Sequence, residues 1–223
     1  GIERDGDVHA TAVDERGIEG MSARVRTRRG SFDLVTPLVG RSNLANVLAA
    51  VAVGVEFEVP LSAMAERARR LRPAAHRGEI VRLPNGVTVI DDSYNANPTA
   101  TARALDVLAR TSGAARRIAV LGEMLELGES AGPLHEGVGR RAAQAGLDLL
   151  LTVGGAPAGA MSRAAVAAGL EGARVRHFAT SREAADYLAQ IVEPGDLVLV
   201  KGSRGIGTDA VVNRLAVAGE GRA

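Results

Sequence analysis

With 223 residues, 46% of them hydrophobic and 24% charged, the chain has the balance of a soluble globular protein and the length for two ordinary domains. A formal net charge of +1 and 2% aromatic residues, with no Trp, argue against a nucleic-acid surface, which needs a strongly basic face or exposed stacking rings. The absence of Cys excludes a disulfide framework and thiolate metal sites, and no apolar run is long enough for a membrane span.

The N-terminus has no basic and apolar leader, so a cytoplasmic location is expected, and the opening Gly-Ile suggests an excised piece. The first predicted elements are strands: Val8 to Val13, then Met21 to Thr27 and Ser31 to Thr36 around the turn Arg28-Arg29-Gly30. The basic run Arg24, Arg26, Arg28 and Arg29 falls on this hairpin and is read as a solvated strand face and turn. Helices are predicted from about Asn43 to Val53 and from Pro60 to Leu71; in the second, Leu61, Met64, Ala65, Ala68 and Leu71 form an apolar stripe.

Two strands follow, Glu79 to Leu83 and Val87 to Asp91, joined by Pro84-Asn85-Gly86, whose Asn-Gly pair favours a tight hairpin. The second runs into the polar stretch Asp91-Asp92-Ser93-Tyr94-Asn95-Ala96-Asn97-Pro98, and a helix resumes from Pro98 to Ala109. From residue 116 apolar strands at Ile118 to Leu121, Leu149 to Val153, Val175 to Phe178 and Leu197 to Val200 alternate with helices near 133–145, 156–168, 181–192 and 208–217. Thr180 and Glu183 form a capping box. This alternation implies a Rossmann-like domain with a mainly parallel sheet, beginning near Gly113. Dinucleotide binding is not expected, because the turn after its first strand lacks G-x-G-x-x-G and carries Glu123 and Glu126, which would repel a pyrophosphate.

Four clusters could carry chemistry. Asn43 and Asn46, three residues apart on one helical face, offer the donor and acceptor that an adenine edge needs, or else cap and satisfy the helix. Arg77 could hold a phosphate or ribose oxygen, or be a surface arginine; His76 beside it is expected to be solvated. In the loop 91–98 the adjacent carboxylates cannot both point the same way, so one can meet ribose hydroxyls while Tyr94 offers a flat face to a base. The alternative there is an Asx-turn loop with Asn97 capping the next helix. Finally, 122–128 and Lys201-Gly202-Ser203-Arg204-Gly205 both follow strands of one parallel sheet and could line one crevice. Glu123 or Glu126 would suit an ammonium there, and Lys201 and Arg204 a carboxylate, unless the loops simply pair with each other.

In order and spacing, Gly-Arg-x-Asn-x-x-Asn, x-Arg-x-Glu, Asp-Asp-Ser-Tyr-Asn-Ala-Asn-Pro, Leu-Gly-x-Met-x-Glu-Leu-Gly and Lys-Gly-Ser-Arg resemble the Mur ligases over residues 40 to 205. The resemblance implies an α/β protein in which residues 1–112 are the C-terminal portion of a truncated central ATPase domain and 113–223 a Rossmann-like C-terminal domain. It implies an intact, monomeric ligase that uses ATP and Mg2+ to join D-alanyl-D-alanine to UDP-N-acetylmuramoyl-tripeptide through an acyl phosphate, with no nucleic acid partner. Under it Asn43, Asn46, Arg77, Asp92, Tyr94 and Asn95 would line the nucleotide site, and Glu123, Lys201, Ser203 and Arg204 the acceptor site.

The sequence departs from the family pattern at Ser42, where His is usual, His76 (Gly), Glu123 (Asp) and Thr208-Asp209 (Met-Glu). It also contains no G-x-x-x-x-G-K-[ST] loop or shorter Gly-Lys-Thr form to cradle phosphates, so these residues alone are expected to be inactive, with no metal site and no tightly bound cofactor. Competing readings are a non-catalytic ligand- or partner-binding module and a ligase of the same superfamily that extends folate with glutamate.

Overall fold

A computed structural model of the chain describes residues 1–3 and 5–220. Its contacts divide between Pro73 and Ala74 into two units, each with its own sheet and apolar core.

In the first unit, strands β1 (Val8–Glu15), β2 (Met21–Thr27) and β3 (Gly30–Thr36) form an antiparallel sheet in chain order. Period-two alternation sends Met21, Ala23 and Val25 inward with Phe32 and Leu34, and leaves Arg24 and Arg26 outside. The basic run is a solvated face and turn: Arg24 pairs with Asp33 at 2.8 Å and Arg28 with Glu56 at 3.0 Å. The β1–β2 register slips by one residue between Thr11 and Asp14, where Ala12 turns to φ 49°, as at a β-bulge. Helices α1 (Gly40–Glu56) and α2 (Leu61–Arg69) complete the core, α1 through Leu44, Val47, Leu48, Val51 and Val55 along one face.

The second unit holds strands β4 (Glu79–Arg82), β5 (Thr88–Asp92), β6 (Arg116–Gly122), β7 (Leu149–Val153), β8 (Val175–Phe178) and β9 (Asp196–Lys201). Their order is β4-β5-β9-β6-β7-β8, and only β4 runs antiparallel. The connections explain this. Pro84-Asn85-Gly86 turns tightly, with Gly86 at φ 81° and its amide on the Leu83 carbonyl at 3.0 Å, whereas the later strands are joined through helices and so run parallel. Every residue of the central strand β9 is buried, as a strand covered on both faces requires.

Helices α3 (Pro98–Arg110), α4 (Ala131–Ala143) and α5 (Ala156–Ala167) pack side by side; α6 (Ser181–Ile191) and α7 (Asp209–Glu220) pack together over the face that carries Val89, Val120, Val198 and Val200. The Thr180–Glu183 capping box is present at the start of α6. At the amino ends of β6 and β9, Asp196, buried, accepts Arg116 Nε at 2.8 Å and Nη2 at 2.7 Å. Among the described residues no helix is long and apolar enough to cross a membrane.

The division at Pro73 falls well before Gly113, where the sequence pattern changes. The hairpin β4–β5 and helix α3 therefore lie in the second unit. The reason is a pairing that no local pattern announces: β5 runs beside β9, with Asp92 next to Lys201, 109 residues further along.

α4 and α5 are in close contact at Gly139, where a Cβ would collide with the Met161 carbonyl; a Cβ at Gly137 would meet nothing nearer than Arg140 Nη2 at 4.0 Å. Gly139→Ala is expected to cost about 2 kcal/mol or more of stability in urea unfolding, and Gly137→Ala to add up to about 1 kcal/mol. Equal effects would show that the helix contact is not close-packed there.

Candidate functional site

Strand β9 returns from the far edge of the sheet to lie between β5 and β6, while the chain leaving β6 proceeds the other way to β7 and β8. Reversals of this kind open a crevice at the carboxyl ends of the strands. Asp92, Lys201 and Leu121 are neighbours across the three strands, so the loops that follow leave from one level. They enclose a cavity of about 450 Å3 whose lining includes Tyr94, Asn95, Leu125, Glu126, Ser203 and Arg204. Gly122 and Gly202 let β6 and β9 end side by side: a Cβ on either would press on the other's Cα and on Thr208.

The two adjacent carboxylates diverge, as a strand end requires. Asp91 Oδ1 accepts the Ser93 amide at 3.1 Å and hydroxyl at 2.6 Å, and its Oδ2 lies 2.7 Å from His76 Nδ1. His76 is thus engaged rather than simply solvated. Its hydrogen bond to Asp91 and the carboxylate's charge raise its pKa above the ordinary histidine value. His76 also holds φ 60°, a left-handed conformation that glycine adopts without strain, and its carbonyl accepts the Tyr94 amide at 3.1 Å.

Asp92 points to the other side. Its Oδ2 accepts Lys201 Nζ at 2.6 Å, and the same ammonium, 3% exposed, donates to the Asn95 carbonyl at 2.9 Å. Burial raises the Asp92 pKa, and the charge and hydrogen bond of Lys201 oppose that rise. Lys201, grouped from sequence with the acceptor residues, is therefore bonded to two residues of the nucleotide group. The Asn95 carboxamide oxygen accepts the Ala96 amide at 2.8 Å, and Asn97 caps α3 through the Ala100 amide at 2.8 Å.

Tyr94 is exposed, and two guanidiniums sit against its ring, Arg77 at 4.0 Å and Arg204 at 5.9 Å from the centroid. Ser203, buried, ties the loops together: its Oγ accepts the Leu125 amide at 2.9 Å and its own amide reaches the Glu123 carbonyl at 3.2 Å. The Glu123 carboxylate turns toward the start of α5, where it accepts the Gly155 amide at 2.6 Å. Of the two glutamates offered for an ammonium, Glu126 is the one that lines the cavity.

Arg77, Asp92, Tyr94, Asn95, Glu123, Lys201, Ser203 and Arg204 all belong to the second unit, and Asn43 and Asn46 to the first. Asn43 is not the cap of α1, which begins earlier at Gly40; its Nδ2 donates back to the Val39 carbonyl at 2.9 Å. Asn46 is exposed and borders a groove with Val47, Val51 and Met64. The sequence reading missed the His76–Asp91 contact and the backbone partners at Asn95 and Gly155. Backbone groups have no side-chain signature, but the left-handed turn at His76-Arg77-Gly78 could have been suspected from its glycine. Among the described residues no group of three His, Cys, Asp or Glu side chains is placed to hold a metal ion.

A family model described as "Mur ligase, glutamate ligase domain" matches residues 76–204. The UDP-N-acetylmuramoyl-tripeptide–D-alanyl-D-alanine ligase of Mycobacterium leprae is 36% identical over 202 residues, covering 84% of this chain and 39% of that protein. The Escherichia coli ligase of the same name is 33% identical over 211 residues, covering 94% and 43%. A crystal structure of MurF from Acinetobacter baumannii superposes with a TM-score of 0.84 at 29% identity, over 97% of this chain and 46% of that one. The chain spans about two-fifths of the length of these curated relatives.

The raised His76 pKa carries a pH signature. Its contribution to stability is fully present below the unfolded-state value, about 6.5, and is lost as pH rises through the higher folded value. The gap in urea midpoint between the wild type and His76→Gln should therefore be wider near pH ~6 than near pH ~9. A constant gap would mean that the Asp91 contact does not involve the charged ring.

Proposed function

The chain belongs to the Mur ligase family, and on that premise we propose that it is the acceptor-bearing portion of a MurF ligase, which joins D-alanyl-D-alanine to UDP-N-acetylmuramoyl-tripeptide using ATP. The observation that carries this reading is the convergence of three loops at the β5-β9-β6 strand ends, held by the Asp92–Lys201 pair around a cavity lined by both Arg204 and Glu126. The curated relatives that bear the D-alanyl-D-alanine ligase name favour it over a folate-extending ligase.

In this reading the first unit belongs to the central ATP-binding domain and the second carries the acceptor domain. The γ-phosphoryl group of ATP passes to the terminal carboxylate of the tripeptide, releasing ADP. The dipeptide amine then attacks the acyl phosphate carbonyl, loses a proton, and expels inorganic phosphate as the amide forms. The second unit's task is chiefly to place the amine, since holding two reactants in register removes much of the barrier to a bimolecular step. Glu126 faces the cavity where an ammonium would enter, and Arg204 offers a fork of donors for the dipeptide carboxylate. Arg77, stacked on Tyr94, offers a second cation toward nucleotide phosphates or ribose.

Asn43 and Asn46 are proposed for the adenine side, with the exposed Asn46 carboxamide as the contacting group. Magnesium would accompany ATP; among the described residues no three His, Cys, Asp or Glu side chains are grouped to hold it.

Phosphate release from ATP, in the presence of both substrates, should be absent with these 223 residues alone and appear when the upstream half of the ligase is supplied. Turnover by the chain alone would overturn the assignment of the phosphate loop to that half. In the assembled enzyme, Arg204→Ala should raise KM for D-alanyl-D-alanine about tenfold and leave KM for ATP unchanged. A rise confined to ATP would move Arg204 to the nucleotide side.

A further inference from the structure

His135 on α4 is fully buried, does not line the cavity, and plays no part in the reaction as proposed. Its Nδ1 lies 2.7 Å from the Ala131 carbonyl, one turn back on the same helix, and its Nε2 accepts the Met124 amide at 2.9 Å. A carbonyl only accepts and an amide N–H only donates, so the ring proton sits on Nδ1 and Nε2 carries the free lone pair. The ring is a neutral bridge between α4 and the loop after β6.

That loop has little freedom. The Glu123 amide goes to Val153 of β7 at 2.8 Å, the Met124 amide to His135, and the Leu125 amide to Ser203 Oγ at 2.9 Å. Three successive N–H groups are thus fixed by three separate elements. The Met124 side chain is buried, with its Sδ 3.8 Å from Thr101 Oγ1. Beyond this anchor Leu125, Glu126 and Leu127 line the cavity, and Glu126 is held at φ 64°, which a residue with a side chain keeps only when its surroundings impose it. Of the three anchors, only His135 is a side chain from outside the loops that form the cavity.

We propose that His135 is a positioning residue: its unprotonated Nε2 fixes the Met124 amide and thereby sets residues 125–127, with the Glu126 carboxylate, in the geometry that receives the incoming amine. This rests on the reading of the cavity as the acceptor-dipeptide site. Protonation of Nε2 would turn the acceptor into a donor facing another donor, so the device requires the neutral ring.

Two variants separate positioning from bulk stability. His135→Gln keeps an acceptor within reach of the Met124 N–H; His135→Leu fills the space and leaves that N–H buried and unpaired. In the ligase assembled with its upstream half, the Leu variant should raise KM for D-alanyl-D-alanine about tenfold with KM for ATP unchanged, and the Gln variant should recover most of the loss. An unchanged KM for the dipeptide, an equal rise for both substrates, or no recovery with Gln would overturn the proposal.

Measurements on the chain itself test the loop without turnover. Amide hydrogen exchange at Met124 and Leu125 should accelerate in the Leu variant while that of β9 stays at the wild-type rate, and the 15N shift of His135 Nε2 in the wild type should be that of an unprotonated nitrogen. Uniform acceleration, no acceleration at Met124, or a protonated Nε2 would each overturn it. If the assembled wild type forms no product from D-alanyl-D-alanine, the reaction assignment and this proposal's acceptor role fail together; local acceleration in the chain would then show His135 still holding the loop.

Discussion

The ion pair between Lys201 and Asp92 is the constraint around which the second unit is arranged. Lys201 ends the central strand, and its ammonium is almost entirely removed from water. An unpaired charge there would cost several kcal/mol, so the fold must supply a carboxylate and a further acceptor in fixed places. Asp92 and the Asn95 carbonyl do so, and both come from the chain directly after β5. Sliding β5 by one residue one way along β9 would put Ser93 opposite Lys201 and strip the ammonium of its carboxylate; sliding it the other way would put Asp91 there but turn the buried Val89 and Ile90 to the opposite faces of the sheet. Such a pair adds little net stability compared with apolar side chains of similar size; it specifies register instead.

From that register the rest of the cavity follows. With Asp92 committed to one face of the sheet, Asp91 must face the other, where His76 and Ser93 meet it. The loop leaving β5 then brings Tyr94 beside both Arg77 and Arg204. Ser203 fastens the third loop to the second through its hydroxyl and its amide. Few of these contacts lie within one element, so the site is a property of the sheet's topology more than of any loop.

Local features of this architecture were readable in the sequence. The strands and helices were found to within a few residues because each carries its own period, and the turn at Asn85-Gly86 and the capping box at Thr180 are chemical signatures that act over four residues or fewer. The divergence of Asp91 and Asp92 follows from strand alternation alone. What stayed hidden depends on distant partners. The placement of β5 beside β9 shifted the division of the chain to Pro73, and it also made Lys201 a partner of Asp92. Glu123 offered a carboxylate for a ligand, but a neighbouring helix start had already engaged it. Asn43 looked like a cap because polar residues often begin helices, yet α1 extends one turn earlier through Gly40 and turns that amide to another use.

Tyr94 has a further consequence. The chain has no Trp and only two Tyr, so its ultraviolet emission comes from two phenol rings. Tyr187 is packed against Phe178 with centroids 5.3 Å apart, whereas Tyr94 lies at the cavity with guanidinium groups near its ring. Any ligand that draws Arg77 or Arg204 away alters the electrostatic surroundings of that ring and leaves the other untouched. The protein thus carries a native optical reporter at its own crevice, readable without a label against the steady signal of one other tyrosine.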